Sequence, residues 1–281
     1  MLAKIIKFSG TMGGSVQIYR YVNNLQIRSI ILSMVKTFFV SQNIIRLKCI
    51  DSTNNYAAQL LRHSDIFEGT AVVAEFQEKG KGQRGNRWES EKGQNLTFSI
   101  ILKPAFIKPE QQFLLNKIIS LAICDYLKSL EIKHVYIKWP NDILVNGKKI
   151  AGILIENIIR SGEIIHSIIG IGFNVNQTKF HSAENPTSLK ILTGENFSLD
   201  NCFEKISLFV EARYLKLKSS LLAADEDYLN QLFQLNDWKN YSIKRMNYIA
   251  KITGVSNHGF LILEKENGEI ENCNVKEIIF L

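Results

Sequence analysis

At 281 residues, 46% of them hydrophobic, the chain is long enough for one large core or for a main domain with a smaller partner. Seven of the 34 bases and none of the 27 acids precede Asp51, so the net charge of +7 sits in the first fifty residues and the rest of the chain is neutral. Cys49, Cys124, Cys202 and Cys273 lie far apart with no C-x-x-C pair and no histidine cluster beside them, which argues against a zinc site or disulfide framework and for a cytoplasmic setting.

The acid-free segment, residues 1–42, admits three readings: a contact for nucleic acid, a targeting peptide, or an extension without function. "NIIRLKCI", Asn43 to Ile50, predicts a strand. "DSTNNYAAQLLRHS" follows as a helix capped by Asp51, Ser52 or Thr53, with Tyr56, Leu60 and Leu61 as its apolar stripe. "TAVVAEF", Thr70 to Phe76, and "NLTFSIIL", Asn95 to Leu102, read as buried strands. Between them lies a glycine-rich loop. Phe113 to Leu130 predicts a helix from apolar residues at three- and four-residue steps. "HVYIKW" is a strand, and "DILVNGKKIAGILIEN" a hairpin about Asn146-Gly147, the preferred two-residue turn. "IIHSIIGIGFNVN" completes the meander, with Asn174 and Asn176 expected on one face of that strand. A polar loop, residues 177–188, then leads to helices over 199–218 and 225–232. From Tyr241 short alternating runs predict a small all-β unit. The expected class is α+β: a mixed, largely antiparallel sheet with helices on one face, then a small β domain. The expected domains are an extension at 1–42, a main domain at 43–235 and the β domain at 236–281.

The loop "GKGQRGNRW" contains G-x-G-x-x-G at Gly80, Gly82 and Gly85. A dinucleotide-binding turn needs an apolar helix directly after the glycines. Here "NRWESEKGQN" follows, polar and without apolar periodicity, so that reading fails on context. Two readings remain: a solvated surface loop, or an anion-holding loop that uses backbone N–H groups with Lys79, Lys81, Arg84 and Arg87. Lys138 ends an apolar strand beside Trp139-Pro140. It is either a snorkelling strand end or a cation for a carboxylate or phosphate. "GIGFNVN" adds two positions without side chains where something can approach the sheet.

Taken in order, "DSTN" (51–54), "Q-x-x-G-x-G-x-x-G-x-x-W" (77–88), "KWPND" (138–142), "AGILIE" (151–156) and "GIGFNVN" (170–176) resemble the bacterial biotin protein ligases over about residues 44–281. The resemblance implies a class II synthetase-like catalytic fold with a C-terminal SH3-like β domain. It implies formation of biotinyl-5′-AMP from biotin and ATP, with Mg²⁺, and transfer of biotin to a lysine of a biotin carboxyl carrier domain. It assigns Ser52, Thr53, Asn54 and Gln77 to the biotin ring. Lys81, Gly82, Gln83, Lys138 and Gly152 complete the biotin site, and Lys138 is the catalytic lysine at the reacting carboxylate. Gly80, Arg84, Arg87, Trp88, Asn141 and Asn174 fall to ATP and the adenylate, Trp88 against adenine and Asn174 near the phosphates. No protein metal ligands are assigned.

Two residues depart from the family's pattern. Where the family most often has G-R-G-R, this chain has Gly80-Lys81-Gly82-Gln83, so Arg84 or Arg87 is expected to stand in for the missing charge. Lipoate ligases and octanoyltransferases resemble the same catalytic fold but lack the combined glycine-rich loop, "KWPND" and β domain. A DNA-binding repressor is the non-enzymatic alternative. The first residues show no helix-turn-helix spacing, so DNA binding is not expected. No membrane partner is expected, since no apolar run approaches the ~20 residues of a span. A homodimer stays open.

Overall fold

A seven-stranded sheet positions the site. Its order is β1 (Ile44–Leu47), β2 (Ala71–Ala74), β3 (Leu96–Leu102), β7 (Glu163–Phe173), β6 (Lys148–Arg160), β5 (Asp142–Val145), β4 (Val135–Lys138). β1 and β2 pair in parallel and the other neighbours are antiparallel. This computed structural model describes residues 36–222 and 224–281. Among them, Thr37–Leu281 forms one compact unit, and no helix is long and apolar enough to cross a membrane.

Side-chain alternation gives the sheet two different faces. Val73, Phe98, Ile100, Leu102, Val135, Ile137, Ile143, Val145, Ile153, Ile169 and Ile171 point into the main core. There they meet α2 (Phe113–Ser129) and α4 (Leu199–Ser219), with α3 (Leu189–Thr193) and α5 (Asp225–Asn230) alongside. Phe98, Ile100 and Leu102 are fully buried, each worth about 1.5–3 kcal/mol of burial. α2 is apolar nearly all round because it lies between sheet and helices. Its one buried cation, Lys117, is bonded to Asp225 at 2.7 Å.

The opposite face differs from expectation: it too carries a helix. α1 (Thr53–His63) sits there, packing Ala57, Tyr56, Leu60 and Leu61 against Val72, Ile101 and Ile168. Helices therefore cover both faces. At the α1 N-terminus, Ser52, Thr53 and Asn54 and the adjoining strands border an open cavity.

The β5–β6 hairpin turns on Asn146 and Gly147, with φ of 51° and 74°, both in the left-handed region that this turn requires. The second sheet has the order β11 (Ile270–Cys273), β10 (Leu261–Lys265), β9 (Met246–Val255), β8 (Trp238–Ile243), β12 (Ile278–Phe280), antiparallel throughout. The chain between the sheets is strapped along β4: Ile137 N–H donates to Gln231 O and Phe233 N–H to Ile137 O, both at 2.8 Å.

Residues 37–42 belong to the folded unit and not to the extension expected at 1–42. Val40 is fully buried. The Glu211 carboxylate accepts the N–H groups of Phe38, Phe39 and Val40 at 2.7, 2.8 and 2.9 Å. The remainder of the predicted extension, residues 1–35, lies outside the described residues.

Candidate active site

The open part of the sheet is bare by design of its residues. Gly152 on β6 and Gly172 on β7 are cross-strand partners, and Leu154 faces Gly170. The indole of Trp88 lies on the first pair. A Cβ at Gly172 would be 2.3 Å from Trp88 Cε2, and one at Gly152 would be 3.1 Å from Cζ3. Gly170 is approached by Asn54, whose Oδ1 would be 2.3 Å from a Cβ there. The two glycines on the strand thus receive the chain's own side chains. Trp88 Nε1 is buried with no hydrogen-bond partner. That is a costly state for a donor, and it often marks a position completed by a ligand.

The N-terminus of α1 opens onto this floor. Ser52 is the N-cap residue but makes no side-chain capping bond. The cap comes from Gln77 instead, whose Oε1 accepts from Thr53 N at 2.7 Å. Asn54 is bonded on both sides of its amide. Its Nδ2 donates to Glu156 Oε2 at 2.7 Å, and its Oδ1 accepts from Ser99 Oγ at 2.6 Å.

The glycine loop is a closed hairpin above the floor. Trp88 N–H donates to Gly80 O at 3.0 Å, and Gly82 N–H to Asn86 O at 2.7 Å, around a 3-10 turn over Gln83–Gly85. Lys81 Nζ is 3.6 Å from Glu156 Oε1. The Arg87 guanidinium donates to Glu78 O at 3.1 Å, at the foot of the loop. The far end of the loop is latched by Glu89, whose carboxylate accepts from the N–H groups of His181, Ser182 and Ala183 and from the Ser182 hydroxyl. Burial alone would raise the Glu89 pKa; these donors outweigh it and hold the group at about 2.

Two adjoining cavities result. The first, about 320 Å³, lies over the glycine floor at the α1 N-terminus. The second, about 580 Å³, is bounded by Asn174, Phe180, Pro186, Leu144 and Phe233. They share a wall made by Arg87, Trp88, Lys138, Asp142 and Lys149. Asp142 Oδ1 is 2.6 Å from Lys149 Nζ, an ion pair without hydrogen-bond alignment. Lys149 Nζ is also 5.7 Å from the centroid of the Trp88 ring. Lys138 has no carboxylate within 4.0 Å among the described residues. Its Nζ lies 4.9 Å over the Phe280 ring.

The structure brings Ser52, Thr53, Asn54, Gln77, Lys81, Gly82, Gln83, Lys138 and Gly152 to the first cavity, with Asn141. Arg87 and Trp88 border both cavities, and Asn174 borders the second. Gly80 reaches neither: the bond from Trp88 holds it at the loop's foot, where it lines a separate cavity with Lys81, Leu154 and Glu156. The Arg84 side chain lies outside the described residues. Asn174 and Asn176 are not on a strand, because β7 ends at Phe173. Past that point the chain bends: Asn174 Nδ2 donates to Thr187 O, while Asn176 exchanges bonds with Phe197.

Sequence reasoning passed over Lys149. The reason is a register shift. Ile143 pairs with Ala151 but Leu144 with Lys149, so Ile150 is the extra residue of a bulge. Strict alternation from Gly152 would turn Lys149 toward the core; the bulge turns it into the site. The aromatic beside Lys138 was equally hidden, since it comes from the last strand of the other sheet.

This geometry suits two anionic substrates that meet at shared lysines beside the glycine-rich loop. Residues 47–174 match the model of the biotin/lipoate A/B protein ligase family. The bifunctional ligase/repressor BirA of Bacillus spizizenii is 30% identical over 250 residues, covering 83% of this chain and 73% of that protein. The biotin–[acetyl-CoA-carboxylase] ligase of Paracoccus denitrificans is 36% identical over 132 residues, 44% of this chain and 51% of that one. The solved biotin protein ligase of Aquifex aeolicus, in complex with biotin and ATP, matches with a TM-score of 0.71 at 26% identity, over 85% of this chain and 99% of its own. The chain belongs to the biotin protein ligase family.

Proposed function

We propose that this chain joins biotin to ATP, forming biotinyl-5′-AMP, and transfers the biotinyl group to a specific lysine of a biotin carboxyl carrier domain. The observation that carries the reading is the junction: Lys138 and Lys149 stand in the wall common to two cavities, beneath a glycine-rich loop. In this reading the first cavity takes biotin, with its polar ring against Ser52, Thr53 and Gln77. The second takes the adenosine, beside Trp88 and Asn174. A biotin carboxylate oxygen bonds to the α-phosphorus of ATP, the bond from that phosphorus to the bridging oxygen breaks, and pyrophosphate leaves. The carrier's neutral lysine amine then attacks the biotinyl carbonyl, the bond to the phosphate oxygen breaks, AMP leaves and the amide nitrogen gives up its proton. Two like-charged reactants have to meet, so the cationic wall lowers the barrier by offsetting charge that builds up there. The loop keeps water from the mixed anhydride.

Magnesium, carried in on the triphosphate, would neutralise phosphate charge. Among the described residues no three His, Cys, Asp or Glu side chains cluster to cage an ion. A phosphate-held ion fits better, with the unpaired, buried Asn174 Oδ1 as an available oxygen and the Asp142 carboxylate, ion-paired to Lys149, near by. This reading assigns the reaction to residues 43–235 with a wall from 236–281, and sets it in the cytoplasm, where ATP and the carrier are at hand.

The test is biotin-dependent exchange of pyrophosphate into ATP, followed by incorporation of labelled biotin into a carrier domain. Lipoate replaces biotin in a parallel arm. Exchange with lipoate and not biotin, or no exchange at all, overturns the reading.

A further inference from the structure

We infer that Phe280, next to last in the chain, is a positioning residue for Lys138 and that the C-terminal sheet thereby sets the geometry of the junction. The inference rests on the ligase reading above. Lys138 ends β4 and its ammonium lies 4.9 Å from the centroid of the Phe280 ring. The ring is itself held. Phe280 pairs directly with Tyr241 across β12 and β8, and the two rings meet edge to face at 5.4 Å. Tyr241 is fully buried, and Leu281 N–H donates to Asn240 O at 3.3 Å. The next residue after Lys138 is tied to the loop between β9 and β10 of that sheet: Trp139 Nε1 donates to Gly259 O at 3.0 Å.

The choice of an aromatic partner has a chemical consequence. A carboxylate beside Lys138 would hold the ammonium but cancel the field it presents to incoming anions. A ring face attracts the cation through its quadrupole and leaves the full charge in place. Lys138 is also long and flexible, so an unheld ammonium would sample many rotamers and lose entropy on meeting the reacting carboxylate. Phe280 lines the first cavity together with Lys138.

The experiment compares Phe280→Leu, Phe280→Tyr and Phe280→Trp in biotin-dependent exchange and in thermal melts. Phe280→Leu keeps bulk without a ring face, and kcat is expected to fall on the order of ten-fold, with the KM for biotin near wild type. Tyr and Trp recover most of that loss. In a Lys138→Ala background Phe280→Leu is expected to have no further effect. Wild-type kcat in Phe280→Leu overturns the inference. So does an equal fall in the Tyr and Trp variants, or an undiminished effect without Lys138. An absence of exchange in the wild-type chain strikes the ligase reading itself, whereas wild-type exchange with an unaffected Phe280→Leu strikes this inference alone.

Discussion

Gly172→Ala tests the seat of Trp88. A methyl at Gly172 would come 2.3, 2.6 and 2.7 Å from three atoms of the Trp88 ring. Carbon atoms pack at about 3.5–4.0 Å, so the ring has to rise by about 1 Å or more. It cannot tilt freely, because a Cβ-distance of 3.1 Å at Gly152 shows that its other end is seated too. Its backbone is bonded to Gly80 at 3.0 Å, so lifting the ring shifts the foot of the glycine-rich loop. Forcing a methyl into such a contact costs about 1–3 kcal/mol. For a unit of this size each kcal/mol lowers Tm by about 2–4 °C. The assay is a double-mutant cycle by thermal or urea melts of wild type, Gly172→Ala, Trp88→Ala and the pair. In the Trp88→Ala background the added methyl meets no ring, so Gly172→Ala is expected to cost close to nothing there. The same loss in both backgrounds would refute the reasoning, because it would show that the glycine serves the strand and not the indole.

Lys138→Ala is expected to lower biotin-dependent exchange by about 10²–10³ with an almost unchanged melt; wild-type exchange would remove this lysine from the reaction. Glu89, whose pKa is held near 2 against an ordinary 4.5, contributes stability that is fully present above pH 4.5 and lost as pH falls toward 2. Melts at pH 6 and pH 3 are therefore expected to differ more for wild type than for Glu89→Gln; equal differences would mean that the latch holds nothing. A chain begun at Met34 keeps the segment bonded to Glu211 and is expected to melt and biotinylate a carrier domain as the full chain does. A large fall in either quantity would show that residues 1–33 belong to the working protein.

Local signals made much of this protein legible from its residues. Asn146-Gly147 fixed a hairpin because few other pairs tolerate two left-handed residues in succession. The glycine loop was separable from a dinucleotide turn because the helix that such a turn requires has no apolar period to build it. Ordered short motifs pointed to the family and to most of the first cavity's lining. Tertiary structure alone decided what depends on register and on distant segments meeting. The bulge at Ile150 turns Lys149 into the site, and nothing in a string of residues marks where a strand gains one. Trp88 and Asn54 fill the glycine gaps at Gly172 and Gly170, so a gap in side chains did not by itself reveal what would occupy it. Val40 joins the core because a carboxylate some 170 residues away accepts its N–H. Phe280 meets Lys138 across 142 positions of sequence. Period and turn chemistry act between neighbours along the chain, and so can be read there. The charges at the junction are set by packing between sheets, which is a property of the fold.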